Sequence, residues 1–230
     1  MNNDQERLQR VLGYRFRDGG MLQRALTHRS YSHDNNERLE FLGDALLNFV
    51  IGEAMFLQQA KAAEGDLSRL RATLVREETL AHVARRIDLG ESVLLGSGEL
   101  KSGGFRRDSI LADALEAVLG AVYLDSGFDA ARELCLRLFE PELQNLPDPG
   151  SLKDAKTRLQ EHLQAASRPL PEYSVLSEEG PPHRRLFQVR CRLPDDGAEA
   201  LADGASRKIA EQRAAEHMLQ NLESGGGRHA

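Results

Sequence analysis

The sequence predicts an all-helical N-terminal domain followed by a smaller α+β domain of order α-β-β-β-α. Apolar residues recur at helical spacing through residues 1–144, where no stretch shows sustained period-two alternation. The run NLPDPGS at 145–151 combines two prolines with glycine and polar residues, and strand-like alternation begins after it. We therefore expect a helical domain over 1–144, a linker over 145–151 and a second domain over 152–223.

The individual elements follow from the same patterns. In the first domain the apolar spacing predicts helices at 4–12, 18–26, 36–59, 66–75, 77–87, 109–124 and 128–140. Residues 96–109 carry four glycines, three basic residues and no apolar periodicity, so they are predicted to form a loop, with Asp108 or Ser109 capping the next helix. In the second domain we expect a helix at 152–166, strands at 172–179, 184–193 and 198–203, a helix at 206–223 and a disordered tail at 224–230.

The composition excludes several classes of protein. A hydrophobic content of 40% and a charged content of 29% are typical of a globular protein. No apolar run approaches the roughly 20 residues needed to cross a bilayer, which predicts no membrane association. The start, MNNDQERLQR, is polar and carries acids, unlike a signal or transit peptide. Cys135 and Cys191 are far apart in sequence, so we expect reduced core thiols in a cytoplasmic protein.

The net charge of −6 does not by itself indicate binding to a polyanion. Residues 1–150 contain 18 Lys and Arg against 24 Asp and Glu, whereas residues 151–230 contain 12 of each. The acidic excess therefore lies in the helical domain. Any contact with nucleic acid must use local basic patches or metal ions rather than overall attraction.

Acidic side chains are concentrated on two predicted helices. Glu37, Glu40 and Asp44 share one face of helix 36–59, because an α-helix has 3.6 residues per turn. The other face of that helix carries a predicted apolar stripe, formed by Leu39, Leu42, Leu46, Phe49 and Val50. In ILADALEAVLGAVYLD, at 110–125, Asp113 and Glu116 interrupt an almost wholly apolar helix, where carboxylates are costly without partners. We expect the two acidic groups to meet across a helix pair around a divalent metal.

Such a set of acids favours particular metals and reactions. Carboxylates without a neighbouring cysteine or histidine cluster fit Mg²⁺ or Mn²⁺ better than zinc. Divalent ions held in this way can activate water and stabilise charge during phosphodiester hydrolysis. The adjacent pair His33-Asp34 is found in metal-dependent nucleotide phosphohydrolases, but the further histidines and acids of that class are not at ligand spacing here. A carboxylate-bridged di-iron bundle needs two Glu-x-x-His motifs, which the sequence lacks.

With those residues in view, the chain resembles bacterial ribonuclease III. NERLEFLGDALL at 36–47 is similar to the signature segment of that family. GDLSRLRATLV at 65–75, GELKSGGFRRDSILADALEAVLGAVYLD at 98–125 and the C-terminal domain follow the order and spacing of the family, and the resemblance covers nearly all of 5–222. It implies an all-α endonuclease domain followed by an α+β (αβββα) double-stranded RNA-binding domain. The implied activity is endonucleolytic cleavage of duplex RNA by a homodimer, leaving a 5′-phosphate and a 3′-hydroxyl.

The resemblance also implies roles for individual residues. It assigns Glu40, Asp113 and Glu116 as ligands of Mg²⁺, for which Mn²⁺ could substitute. Asp44 and Glu116 would be catalytic, Glu37 would be a supporting acid, and Phe41 would lie at the dimer interface. The implied substrates are ribosomal RNA precursors and structured mRNA and tRNA transcripts. The alternative is a regulator that binds duplex RNA without cutting it, although a pure binder has no use for buried carboxylates.

Two groups of residues are candidates for contact with RNA. Lys101, Arg106 and Arg107 precede the second acidic helix and could hold phosphates near the metals. The C-terminal domain, by the resemblance, would read the A-form shape of about 16 base pairs. Arg207 and Lys208 would bind phosphates at the start of the last helix, where the helix dipole favours negative charge. The remaining candidates implied by the resemblance are Thr157, Gln160, Glu161 and His183.

Overall fold

A computed structural model describes residues 3–181 and 184–225 of the chain. The chain divides into two compact units, the first ending at Ser151 and the second beginning at Leu152. The segment predicted as a linker, 145–151, is the last part of the first unit and includes most of a short 3-10 helix, Pro149–Leu152. Over the described ranges no helix has both the length and the apolar character needed to cross a membrane. Cys135 and Cys191 are buried and free, as predicted.

The first unit is helical, which confirms the fold class predicted for it. Its described residues form helices α1 Asn3–Leu12, α2 Gly19–Ala25, α3 Glu37–Gln58, α4 Glu64–Leu74, α5 Glu77–Arg86, α6 Ser97–Lys101, α7 Asp108–Ser126, α8 Phe128–Leu138 and α9 Glu140–Gln144. The last predicted helix, 128–140, ends earlier and is followed by a separate turn of helix. Pro141 lies in the first turn of α9, where a backbone N–H has no partner within the helix and its absence costs little. A proline at this point cannot continue α8.

The second unit has the predicted order α-β-β-β-α. It consists of α10 Ala155–Ala165, β1 Glu172–Glu179, β2 Leu186–Arg192, β3 Glu199–Gly204 and α11 Arg207–Gly225. The strands form an antiparallel sheet in the order β1-β2-β3, and the helices pack on it around a core that includes Leu159, Val189 and Met218. Part of the predicted tail, 224–225, belongs to α11; the rest, 226–230, lies outside the described residues.

Helices α3 and α7 cross with their backbones in contact, and glycine permits this approach. A Cβ atom added at Gly43 would lie 1.8 Å from the carbonyl oxygen of Glu116. A Cβ atom added at Gly120 would lie 2.3 Å from the carbonyl oxygen of Leu39. Both distances are far below van der Waals contact, so any side chain at either position would force the helices apart. The crossing places Glu40, on α3, opposite the acidic residues of α7.

Three details of the prediction are wrong. Phe49 does not belong to the buried stripe of α3: its side chain is 59% exposed and meets Phe128 edge-on at 5.7 Å, because the neighbouring helices leave that edge of α3 uncovered. The segment 96–109 is not an irregular loop, since it contains α6 and a 3-10 helix, Gly104–Arg106. Neither predicted residue caps α7. Arg107 occupies the cap position without a side-chain bond, and Asp108 is the first helical residue, paired with Arg85 of α5.

We predict that Gly43→Ala destabilises the first unit by about 3 kcal/mol, because the added methyl group overlaps the backbone of α7. Helix propensity alone predicts the opposite sign, a gain of about 1 kcal/mol for Gly→Ala in a helix. Urea unfolding of the full chain measures the change. Gly98→Ala is the matched control, because no atom lies within 4 Å of its added Cβ. Equal stability of Gly43→Ala and wild type would show that the helices tolerate a wider separation.

Candidate functional site

Three of the predicted acids converge between α3 and α7. Carboxylate oxygens of Glu40, Asp113 and Glu116 all lie within 4.8 Å of one another. Asp113 and Glu116 are one turn apart on α7, so both point toward α3, and the glycine crossing brings Glu40 to the same place. In the described ranges, no other group of three acids, histidines or cysteines is close enough to share a metal ion.

The three acids are held where their ionised forms are costly. Glu116 is 9% exposed, and burial, followed by the charges of Asp44, Asp113 and Glu40, raises its pKa to about 8. Burial and the charges of Asp113 and Glu37 also raise the pKa of Glu40. For Asp113, burial and the charge of Glu77 raise the pKa, and electrostatic interactions with His28 and Arg29 partly offset this. A divalent cation would relieve the shared repulsion, and the oxygen-only donor set fits a hard ion.

Asp44 and Glu37 flank the three converging acids. Asp44 is exposed on α3, and its carboxylate accepts a hydrogen bond of 2.8 Å from the amide nitrogen of Asn48. Its charge nevertheless contributes to the raised pKa of Glu116. Glu37 is exposed at the start of α3, 3.7 Å from the guanidinium of Arg29. Both acids therefore lie at the exposed edge of the cluster, and their charges contribute to the raised pKa values within it.

Glu40 and Asp113 open into a cleft that also contains two arginines. His28, Arg29 and Arg107 line it together with Glu40 and Asp113. The Nδ1 atom of His28 lies 2.8 Å from the Oγ of Ser30, and that hydroxyl accepts a hydrogen bond from the backbone N–H of Gly96. This chain of bonds fixes the imidazole ring at the cleft wall. The cleft thus presents both carboxylates for a metal and cations for a phosphate.

Glu77 and Glu99 are residues of this region that the sequence interpretation did not single out. Glu99 lines the cleft and pairs with Arg107 at 3.0 Å. The charge of Glu77, the first residue of α5, is the largest contribution to the raised pKa of Asp113 after burial. Glu99 lies within GELKSGGFRRDS, so its place in that segment was a usable signal. No sequence signal identifies Glu77, because the packing of α5 against α7 is what brings it near Asp113.

The predicted basic residues before α7 are not equivalent. Arg107 lines the cleft, whereas the guanidinium of Arg106 stacks over the ring of Phe105 at 5.0 Å. Lys101 is exposed at the end of α6 and does not line the cleft. Of the three, the structure brings Arg107 alone next to the acids.

In the second unit, the predicted RNA-binding residues that the structure describes lie on α10 and in the first turn of α11. Asp154 caps α10 by accepting from the backbone N–H of Thr157 at 3.0 Å and from its hydroxyl at 3.1 Å. Gln160 is exposed on the same helix, and Glu161 pairs with Lys153 at 2.7 Å. The other predicted residues are Arg207 and Lys208, both exposed in the first turn of α11, and His183, which lies outside the described residues.

Comparison with known proteins gives a consistent result for both units. Residues 18–143 match the family model described as Ribonuclease-III-like, and residues 155–222 match the model of the double-stranded RNA binding motif. The chain is 55% identical over 223 residues to Ribonuclease 3 of Alkalilimnicola ehrlichii, covering 97% of this chain and 98% of that protein. It is 55% identical over 222 residues to Ribonuclease 3 of Pseudomonas aeruginosa, covering 96% and 97% respectively.

Solved structures resemble the first unit. A crystal structure of the nuclease domain of ribonuclease III from Campylobacter jejuni has a TM-score of 0.60 and 47% identity, covering 64% of this chain and all 100% of that one. A second structure of that domain, described as showing structural flexibility in the region involved in dimer formation, has a TM-score of 0.59 and 48% identity, covering 61% and 99%.

A helical unit with converging acids, joined to an αβββα unit, defines a nuclease that works on double-stranded RNA. The chain belongs to the bacterial ribonuclease III family and is an endoribonuclease.

We predict that Glu116→Gln stabilises the metal-free protein, and more so at high pH. The folded-state pKa of about 8 lies above the ordinary value of 4.5, so stability falls as pH rises through this window and the loss is complete above it. Glutamine cannot ionise. In a chelating buffer, urea unfolding is expected to show a gain on the order of 2 kcal/mol at about pH 9 and a much smaller one at about pH 5.

The matched control for this measurement is Glu133→Gln. The Glu133 side chain is 81% exposed on α8, where an ion pair such as the one it forms with Arg137 contributes little to stability, so the variant is expected to follow wild type at both pH values. A Glu116→Gln protein no more stable than wild type at the higher pH would contradict the assignment of a repulsive buried carboxylate.

Proposed function

We propose that the chain hydrolyses phosphodiester bonds within double-stranded RNA with Mg²⁺ held by Glu40, Asp113 and Glu116, leaving 5′-phosphate and 3′-hydroxyl ends. The observation that carries the proposal is the convergence of these carboxylates within 4.8 Å, in a chain of the ribonuclease III family. Mn²⁺, which also prefers oxygen ligands, would substitute. The catalytic domain would comprise 1–144 and the RNA-binding domain 152–223, joined by the linker 145–151.

The roles of the residues follow from their positions. When bound, the metal would lower the pKa of a coordinated water and stabilise negative charge on the phosphate. Glu116, the most buried acid, would be the most sensitive position because its ionised form depends on a compensating cation. Asp44 is exposed beside it and would hold or accept a proton near the attacking water, and Glu37 would support the site from the rim. Arg107 would bind a phosphate of the same strand.

The second unit would supply most of the affinity for duplex RNA. Arg207 and Lys208 are exposed at the start of α11, where the helix dipole adds to their charge. Thr157 donates its hydroxyl hydrogen to Asp154, which leaves its lone pairs free to accept from a 2′-hydroxyl. Gln160 and Glu161 lie on the same helix and are proposed to contact the RNA as well, as is His183, which lies outside the described residues. Ribosomal RNA precursors and structured mRNA and tRNA transcripts are the proposed substrates, in the cytoplasm.

A homodimer would place two acidic sites along one RNA groove. Phe41, next to Glu40, is 79% exposed, and further large apolar side chains on α3, α7 and α8 are more than a third exposed: Phe49, Phe56, Leu57, Leu124 and Phe128. Apolar surface of this extent commonly marks an interface between proteins. A twofold axis would cover each patch with its copy.

We predict that Glu116→Ala lowers cleavage of a long RNA duplex in Mg²⁺ by roughly a thousandfold, because the variant loses a metal ligand. Duplex binding, measured in a chelating buffer, is expected to remain at the wild-type level. Glu133→Ala, which removes an exposed acid from the same unit, serves as the control and should cleave normally. Turnover by Glu116→Ala near the wild-type rate would remove this residue from the mechanism. Wild-type protein that binds but does not cut would favour the regulator instead.

We predict that Phe41→Ala raises the dissociation constant of the dimer by roughly 30-fold, as truncation of a central interface aromatic commonly does. Analytical ultracentrifugation over a concentration series measures this. Tyr31→Ala removes another aromatic side chain, 56% exposed and outside the proposed interface, and should leave the dimer unchanged. A wild-type chain that sediments as an active monomer at micromolar concentration would refute the paired-site arrangement.

A further inference from the structure

Helices α10 and α11 are tied together at their N-terminal ends by polar side chains. Gln212 of α11 donates to the carboxylate of Asp154 at 2.9 Å, and its side-chain oxygen accepts from the backbone N–H of Lys156 at 3.2 Å. Asp154 is also the residue that caps α10 through Thr157. The two segments proposed to contact RNA are therefore joined directly, and not only through the hydrophobic core.

Glu211 is the charged centre of this connection. Its side chain is 12% exposed, and its two oxygens have different partners: one accepts from the Nζ of Lys156 at 2.7 Å and the other from the Nε of Arg207 at 2.8 Å. The ammonium of Lys156 also lies 4.3 Å from the ring centroid of Tyr173, so Lys156 is itself fixed by a cation–π contact. Burial acts to raise the pKa of Glu211, but the hydrogen bonds from Lys156 and Arg207 lower it, so the carboxylate stays ionised.

The contact with Glu211 leaves Arg207 able to bind an anion. Its side chain is 65% exposed, and Glu211 engages the Nε atom alone. The two terminal nitrogens have no hydrogen-bond partner among the residues that the structure describes, and these are the atoms that grip a phosphate in a bidentate fork. An arginine that is already oriented loses less conformational entropy on binding than a free one.

We propose that Glu211 is a positioning residue for RNA binding: it holds the guanidinium of Arg207 ready for a backbone phosphate and anchors it to α10 through Lys156. This inference rests on the proposed role of Arg207 as a phosphate ligand. It runs against simple electrostatics, because an anion beside the RNA-binding surface repels phosphate. If charge alone determines the affinity for RNA, removing Glu211 strengthens binding. If the orientation of Arg207 determines it, removing Glu211 weakens binding. The two accounts differ in sign.

The experiment measures the dissociation constant of the full chain for a perfect RNA duplex in a chelating buffer, so that no cleavage occurs. Glu211→Ala is expected to weaken binding roughly three- to tenfold, the cost of ordering one long side chain. The matched control is Glu216→Ala, which removes an anion from the same helix, one that pairs with Arg158 of α10 and not with Arg207. It should bind as tightly as wild type or slightly more tightly. Binding by Glu211→Ala at or above the wild-type affinity would overturn the inference.

A double-mutant cycle separates this inference from the proposed function. Arg207→Ala alone tests whether Arg207 binds RNA, and equal affinity to wild type would reject that role together with the inference. If Arg207→Ala weakens binding, Glu211→Ala should add no further loss in that background. Additive losses would overturn the positioning role while leaving the phosphate contact intact.

Folding is checked by the thermal unfolding and far-ultraviolet circular dichroism of each variant. Glu211→Gln covers the case in which Glu211→Ala is not folded, because the amide oxygen can still accept from the Nε of Arg207. Glu211→Gln is expected to bind RNA more tightly than Glu211→Ala. If Glu211→Ala does not fold, Glu211→Gln is expected to bind at least half as tightly as wild type. A folded Glu211→Gln that binds more tightly than wild type would favour the purely electrostatic account.

Discussion

The contact between the backbones of α3 and α7 is the constraint on which the rest of the first unit depends. At Gly43 and Gly120 the two helices approach so closely that even a methyl group would overlap a carbonyl oxygen of the other helix. This closeness brings the carboxylate of Glu40 to those of Asp113 and Glu116, since the reach of a glutamate side chain is short. Small residues at a helix crossing commonly serve packing. Here the packing also determines whether three acids can share one ion.

The cluster of acids between α3 and α7 lowers the stability of the fold that holds it. Helix α7 is the most buried helix of the first unit, and its apolar residues form much of the core. Inserting Asp113 and Glu116 into it costs free energy, which is visible in the raised pKa values of both carboxyl groups. The surrounding apolar packing provides the stability that tolerates this cost. Burial also keeps the acids oriented and lowers the local dielectric, which strengthens their interaction with a bound cation.

Because the net charge of the chain is −6, its arginines can attract an anion only through their local placement. Many arginines of the chain are neutralised by a nearby acid, among them Arg85 by Asp108 and Arg158 by Glu216. Others are paired in a way that leaves part of the guanidinium available, as for Arg207 with Glu211 and Arg107 with Glu99. Acidic residues beside the arginines proposed to bind RNA therefore need not weaken recognition. They can fix the direction in which a flexible cation points.

Features that depend on local spacing could be predicted from the amino-acid sequence. Helical periodicity specified α3 and α7, and the one-turn separation of Asp113 and Glu116 specified that both carboxylates share a face. Alternation and turn residues specified the αβββα order of the second unit. Motif similarity added the family, because the order and spacing of several segments are more specific than any one acidic pattern.

Tertiary structure decided what local spacing does not encode. Whether Glu40 meets Glu116 depends on a helix crossing, and whether Phe49 is buried depends on how far the neighbouring helices extend over α3. Contacts with distant residues support the order within 96–109, a glycine-rich segment that has no periodicity of its own: Arg85 of α5 donates to the carbonyl oxygen of Arg106 at 2.9 Å, and Gly96 donates to the hydroxyl of Ser30. Glu77 approaches Asp113 in the same way, through the packing of α5 on α7. In each case the deciding contact joins residues distant in sequence, and a periodic pattern carries information only about neighbours along one element.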